Sequence, residues 1–235
     1  MHGTLEVAWL GTVDYRDALA LQDVLVAARR DDRIGDILLL LEHPHVFTLG
    51  RGADEGFVLR AISGVPVIRV SRGGEVTYHG PGQLIGYPIL RLEGPARDVH
   101  RYLRALEHAM IDGLSRWGIA AARRPGLTGV WVGERKIGSI GVGIRRWITL
   151  HGFALNVCPQ LEYFDAIVPC GIAGCRMTSV ARECGRDTRV VEAAAAMRES
   201  FAAAFSYEQT VETEAAALWA LVDRPGGGCE ARNQQ

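Results

Sequence analysis

Apolar positions along this chain change their spacing several times, and each change marks an element. Ala18, Leu21, Leu25 and Ala28 recur at helical spacing behind Asp14, a residue type that caps helix N-termini, so a helix is predicted over about 14–30. Asp17 falls in its first turn, where the helix dipole favours an acid. Ile37 to Leu41 is a short unbroken apolar run and predicts a buried strand; His45 to Leu49 predicts another, ending at the Gly50-Arg51-Gly52 turn. Val65 to Val70 predicts a further strand, leading into a loop at Ser71 to Gly74. Val99, Leu103, Leu106, Met110, Leu114 and Trp117 form one helical stripe, with Gly118 placed to end it. From Val130 to Val157 the pattern returns to β, with a tight turn at Gly133-Glu134. A final helix over about 189–205 carries Val190, Ala194, Met197, Phe201 and Phe205. Strands cluster between helices and do not alternate with them, which predicts an α+β fold.

Length and composition narrow the classes. The 235 residues suit one large domain, expected over 1–223, with a frayed tail at 224–235 that would leave Cys229 inert. A formal net charge of −1 offers no basic field for nucleic acid. No apolar run approaches the ~20 residues of a membrane helix. Met1 to Leu10 lack the basic and apolar regions of a secretory signal. Five cysteines with no C-x-x-C pair argue against a disulfide scaffold or zinc knuckle, so a reducing cytoplasm is the expected compartment. The 26 basic residues include a single lysine, Lys136. Arg stays protonated in a protein, whereas a desolvated Lys can act as a base, so a lone Lys in an arginine-rich chain marks a candidate.

Three segments carry candidate chemistry. Arg72 to Gln83 reads RGGEVTYHGPGQ, a glycine density that permits close backbone approach or positive φ; an ordinary wide turn is the alternative. It is not a dinucleotide fingerprint, and no phosphate-binding G-x-x-x-x-G-K-[ST] loop occurs. Arg135 to Gly143 places Lys136 in an apolar β-like stretch; an edge-strand lysine with its ammonium in water is the alternative. In Ile167 to Ile172, Cys170 between Pro169 and Gly171 sits on a turned backbone able to present a thiol, with an inert structural Cys as the alternative and Cys175 as a competitor. A metal site from His43, His45 and His79 lacks completing ligands.

The runs RGGEVTYHGPGQ (72–83), RKIGSIGV (135–142), HGFALNV (151–157) and PCGI (169–172) resemble lipoyl(octanoyl) transferases in order and spacing, and EHPHVFTLGR (42–51) resembles that family's early strand motif. The resemblance spans about residues 5–205. It implies the lipoate and biotin ligase catalytic fold: a mixed sheet, a smaller sheet and flanking helices. It implies Cys170 as nucleophile and Lys136 as its partner; His79 is a third catalytic candidate, to position the acyl carbonyl or the thiol, with a hydrogen-bonded structural histidine as the alternative. It also implies acyl binding by Arg72, Gly73, Gly74, Glu75, Val76, Thr77, Tyr78 and His79, by Ser139, Ile140 and Gly141, and by Gly152, Phe153 and Ala154. The implied reaction moves octanoyl from octanoyl-acyl carrier protein to a lysine on lipoyl domains of 2-oxoacid dehydrogenase complexes and on glycine cleavage H protein, without cofactor or metal. Gly73, Gly74, Gly141 and Gly152 would then leave room for an acyl tunnel, and backbone amides near Cys170 and in the glycine-rich loops would hold the oxyanion. Both protein partners are typically acidic in this family, making Arg123, Arg124, Arg145 and Arg146 docking candidates, with a plain solvated surface as the alternative. Two rival functions share these features: an ATP-dependent lipoate–protein ligase, and a non-catalytic acyl-binding module.

Overall fold

The computed structural model describes residues 3–222. The expected tail at 224–235, Cys229 included, lies outside the described residues. The chain runs β1 (Thr4–Thr12), α1 (Tyr15–Arg30), β2 (Asp36–Glu42), β3 (Val46–Leu49), β4 (Val67–Arg69), β5 (Thr77–His79), β6 (Gln83–Ile89) and α2 (Val99–Ser115). It continues through β7 (Ala122–Arg124), β8 (Leu127–Val132), β9 (Arg135–Arg145), β10 (Ile148–Asn156), β11 (Arg176–Met177), α3 (Val180–Cys184), α4 (Val190–Ala204), β12 (Gln209–Glu212) and α5 (Ala215–Val222). Among the described residues, nine strands form a mixed sheet in the order β12-β1-β2-β6-β10-β9-β8-β7, with β11 pairing β9 at its end. A three-stranded sheet, β4-β3-β5, stands beside it. The expected α+β architecture, a mixed sheet with a smaller sheet and flanking helices, is therefore what the chain adopts.

The unbroken apolar run in β2 follows from its place in the sheet. Leu38 and Leu40 pack on one face with α2 and α4, while Ile37, Leu39 and Leu41 pack on the other with α1 and α5. A strand covered on both faces needs no polar alternation. α1 starts as expected, with Asp14 accepting from the Arg16 amide at 2.8 Å. In α2 the stripe buries Leu106, Met110 and Leu114, but Val99 at its head is exposed and Tyr102 takes the buried position instead.

Several expectations need correction. β1 was not expected as a strand, although Leu5, Val7 and Trp9 alternate along it. The strand expected from Val65 shrinks to Val67–Arg69. The helix over 190–204 is not the last, because β12 and α5 follow it and pack against β1 and α1. The β-like stretch from Val130 contains a second tight turn at Arg146-Trp147, both at positive φ (50° and 65°). Two-residue hairpins favour positive φ, and the usual Asn or Gly markers are absent there.

Candidate active site

The site forms where β9 and β10 of the large sheet face β5 of the small one. Cys170 belongs to a short 3₁₀ turn, Pro169–Gly171, at φ 56° and ψ 21°. A non-glycine residue in this left-handed region is uncommon, and such positions cluster at functional sites. The turn is tied to the segment before β5 by the Cys170 amide, which donates to the Val76 carbonyl at 3.0 Å. The Cys170 side chain then meets Lys136, whose Nζ donates to Sγ at 3.0 Å.

Lys136 is held by three strands. It pairs across β8 with Trp131 and across β11 with Met177, and is only 1% exposed. The edge-strand alternative, with the ammonium in water, is thereby excluded. Gly129 lies against its stem, and the indole of Trp131 centres 5.4 Å from Nζ. Among the described residues no carboxylate pairs with Lys136; its hydrogen-bond partner is the Cys170 thiol.

A cavity of about 250 Å³ opens at this pair. That is below the ~300–1,000 Å³ of most ligand pockets and suits a slim chain. Val76, Ile140, Phe153 and Ala154 give it apolar walls, with Gly74, Glu75, Thr77, Ser139, Gly141 and Gly152 also on its surface. Arg72 and His79 line it too, while Gly73 and Tyr78 are not among its lining residues. Tyr78 turns into the core of the small sheet, where it stacks on Tyr163 (centroids 4.9 Å apart) and bonds to His45 at 2.7 Å. In a strand neighbouring side chains point to opposite faces, so Thr77 and His79 can line the cavity only if Tyr78 does not.

Part of the cavity wall is polar, and sequence reasoning missed most of that part. Tyr15, Tyr87 and His151 join His79 and Arg72 there. His79 is buried, stacks on Tyr15 and bonds through Nδ1 to Gln83 at 3.2 Å rather than to Cys170. Burial holds its pKa well below 6.5, with His43 and Arg72 adding to the shift, so the ring is neutral. His43 bonds to the Val13 carbonyl and the Tyr87 hydroxyl, both at 2.7 Å. With His45 spent on Tyr78, each of the three histidines has a protein partner, and no metal-ligand cluster occurs among the described residues. Arg72 reaches the Gly73, Glu75 and Thr48 carbonyls and the Thr48 hydroxyl, four acceptors without a carboxylate. His151 stands inside β10 at φ 55°, its amide taken by Gln22 Oε1 at 2.7 Å. A tyrosine or histidine inside an ordinary strand or helix carries no distinguishing signal, which is why these were not singled out.

Other expectations are revised by the contacts. The amides of Cys170, Gly171 and Ile172 are already donated to Val76, Val168 and Pro169, each at 3.0 Å, so they are not free oxyanion donors. A Cβ on Gly141 would lie 2.8 Å from Arg72 Cδ, and one on Gly152 would meet the Gly86 carbonyl. These two glycines make room first for neighbouring protein atoms. Cys175 lies outside the cavity, beside Met177, with its thiol pKa raised by burial. Of the four arginines named for docking, Arg123 is engaged by buried Glu107 and Arg145 by Asp23, while Arg124 lies 5.0 Å over Trp131. Arg146 is exposed in the hairpin turn.

Residues 14–202 match the family described as the lipoyl protein ligase A/B catalytic domain. An octanoyltransferase of Geobacter sulfurreducens is 48% identical over 198 residues, covering 84% of this chain and 83% of that one. An octanoyltransferase of Solibacter usitatus is 56% identical over 170 residues, covering 69% and 76%. A bi-partite lipoate protein ligase from Thermoplasma acidophilum, studied with its E2 lipoyl domain, shares the fold with a TM-score of 0.69 at 19% identity, over 94% of this chain and 91% of that one.

Proposed function

Since the chain belongs to the lipoyl protein ligase A/B catalytic family and is an octanoyltransferase, an acyltransferase of protein lipoylation, we propose that it takes octanoyl from octanoyl-acyl carrier protein and passes it through a Cys170 thioester to a lysine ε-amine. The observation that carries this reading is the 3.0 Å contact between Lys136 Nζ and Cys170 Sγ on the wall of a small cavity. A nucleophile within hydrogen-bond reach of its base is the arrangement covalent catalysis requires.

The Cys170 proton passes to Lys136, and the thiolate attacks the carbonyl of the donor thioester. The developing oxyanion faces the Lys136 ammonium, which carries three N–H donors, since the amides of the 3₁₀ turn are already engaged. Collapse expels the carrier thiolate, which takes the proton back from Lys136 and leaves S-octanoyl-Cys170. Neutral Lys136 then removes a proton from the acceptor amine as that amine attacks the acyl carbonyl. Cys170 departs as thiolate, and the amide product leaves. The acyl chain lies along Val76, Ile140, Phe153 and Ala154, each buried methylene contributing ~0.8 kcal/mol. Arg72 and the segment to His79, with Ser139 to Gly141 and Gly152 to Ala154, form the acyl-binding surface, Gly73 and Tyr78 acting through backbone and packing.

The acceptors in this reading are lipoyl domains of 2-oxoacid dehydrogenase complexes and glycine cleavage H protein, met in the cytoplasm by a single catalytic domain over 1–223. No described helix is long and apolar enough to cross a membrane. An ATP-dependent ligase would form an acyl-adenylate and needs no thiol against its lysine, so the Cys170–Lys136 contact favours transfer. The test is intact mass after mixing the protein with octanoyl-acyl carrier protein alone. An added octanoyl group, removed by hydroxylamine and mapped to Cys170, is expected. Full turnover with no adduct, or an adduct on Cys175, would overturn the reading, as would transfer from free octanoate and ATP only.

A further inference from the structure

In the reaction above Lys136 carries a buried ammonium with no carboxylate paired to it among the described residues, and such a group is costly unless something else favours its charge. Trp131 supplies the surrounding surface. The two residues are directly opposed on β8 and β9, the pairing that brings cross-strand side chains closest. The indole centre is 5.4 Å from Nζ, inside the ~6 Å range at which an aromatic face attracts a cation. Trp131 is itself only 2% exposed, so the attraction operates away from water, where it is strongest.

The remaining neighbours do not replace it. Gly129 offers no side chain to the stem, and its amide is held by the buried Glu107 carboxylate at 3.1 Å. That carboxylate is also engaged by Arg104 and Arg123. The Cys175 thiol feels the charges of Lys136, Cys170 and Arg124, and Arg72 feels that of Cys170. Arg124 lies 5.0 Å over the same indole, so the ring is shared by one buried and one partly exposed cation.

We propose that Trp131 is a positioning residue of the acyl-transfer site: its ring holds the Lys136 ammonium against Cys170 and so favours the ammonium–thiolate form of the pair that attacks the acyl donor. This rests on the reading of Cys170 and Lys136 as a reacting pair. The ring does not touch substrate; it acts through Lys136. Loss of the aromatic face disfavours the ammonium, returns the proton to sulfur and lowers the thiolate fraction before any acyl donor arrives.

The test is the pH dependence of iodoacetamide alkylation at Cys170, followed on the Cys170 peptide by mass spectrometry without acyl donor. Trp131→Leu is expected to alkylate about tenfold more slowly at pH 7, a change on the scale of a desolvated cation–π contact. Its pH profile should move upward, and it should rejoin the wild type at high pH. Trp131→Phe, which keeps a weaker aromatic face, should lie between the two; it is also the deciding variant if Trp131→Leu does not fold. A folded Trp131→Phe with the wild-type profile overturns the proposal, as does a folded Trp131→Leu slowed equally at every pH. Because no acyl group is present, failure here is separate from failure to detect S-octanoyl-Cys170 in the wild type.

Discussion

Gly129 and Lys136 approach so closely across β8 and β9 that a Cβ on the glycine would lie 2.8 Å from Lys136 Cε and 3.3 Å from Nζ. The same Cβ would stand 2.6 Å from the Gly138 carbonyl, and Gly129 holds φ at 123°. Only glycine meets both demands. Gly129→Ala should therefore displace Lys136 from Cys170. Octanoyl transfer is expected to fall at least tenfold or so, the scale of a catalytic group moved by a fraction of an ångström. Single-turnover acylation and a thermal melt on the same preparation check this. Unchanged acylation would show that Lys136 adapts to the added carbon.

Lys136→Arg keeps the positive charge and removes the capacity to accept a proton. Acylation of Cys170 should survive in part, because a permanent cation still favours the thiolate. Transfer to the acceptor lysine should fall by about 10² or more, the usual contribution of a general base. Rapid-quench measurement of each half-reaction separates the two. Near-wild-type rates in both would make Lys136 an electrostatic cation only.

Cys170→Ser should abolish the adduct and the transfer, since an alkoxide is far harder to form than a thiolate near neutral pH. Cys175→Ala should leave both intact, because Cys175 lies outside the cavity. Loss of activity in the second variant would reverse the assignment of the two thiols.

Gly141→Ala tests what that glycine makes room for. Its Cβ would press on Arg72 Cδ at 2.8 Å and the Gly73 carbonyl at 3.3 Å, so the guanidinium and its four acceptors must shift. Activity is expected to fall by a similar factor for hexanoyl and octanoyl donors. A selective loss of octanoyl transfer would instead place Gly141 along the acyl path.

Burial lowers the pKa of His43 to about 4, and burial with the charges of Arg72 and Arg145 does the same for His151. In the unfolded chain both return to about 6.5. Between those values the unfolded state binds protons that the folded state does not, so stability is full above pH 6.5 and falls as pH drops towards 4. Each group contributes up to about 3 kcal/mol to that loss. Urea midpoints measured from pH 7.5 to 4.5 should decline, and His151→Asn, a residue that tolerates positive φ, should flatten the decline. An equal slope in the variant would assign the acid sensitivity elsewhere.

By itself the sequence determined the local elements and the candidate reactive groups. Unbroken apolarity marked β2, helical spacing marked α1, α2 and α4, and the Pro-Cys-Gly turn and the solitary lysine marked Cys170 and Lys136, because each signal lies within a few residues. The fingerprint runs also located most of the cavity wall, with Gly73 and Tyr78 facing elsewhere. Signals weakened where neighbours supply the reason for a conformation. The Arg146-Trp147 turn lacks turn residues, and α5 is stabilised by packing on α1 and β1. The family resemblance implied that Cys170 partners a lysine 34 positions earlier, but only the tertiary structure decided how they meet, in a left-handed turn set against a paired strand. The tertiary structure alone decided that Trp131 and Gly129 lie against that lysine, with Glu107 holding the Gly129 amide, and that Tyr15, Tyr87 and His151 line the cavity. Their side chains are ordinary in their own segments; contacts across distant strands and helices set their roles.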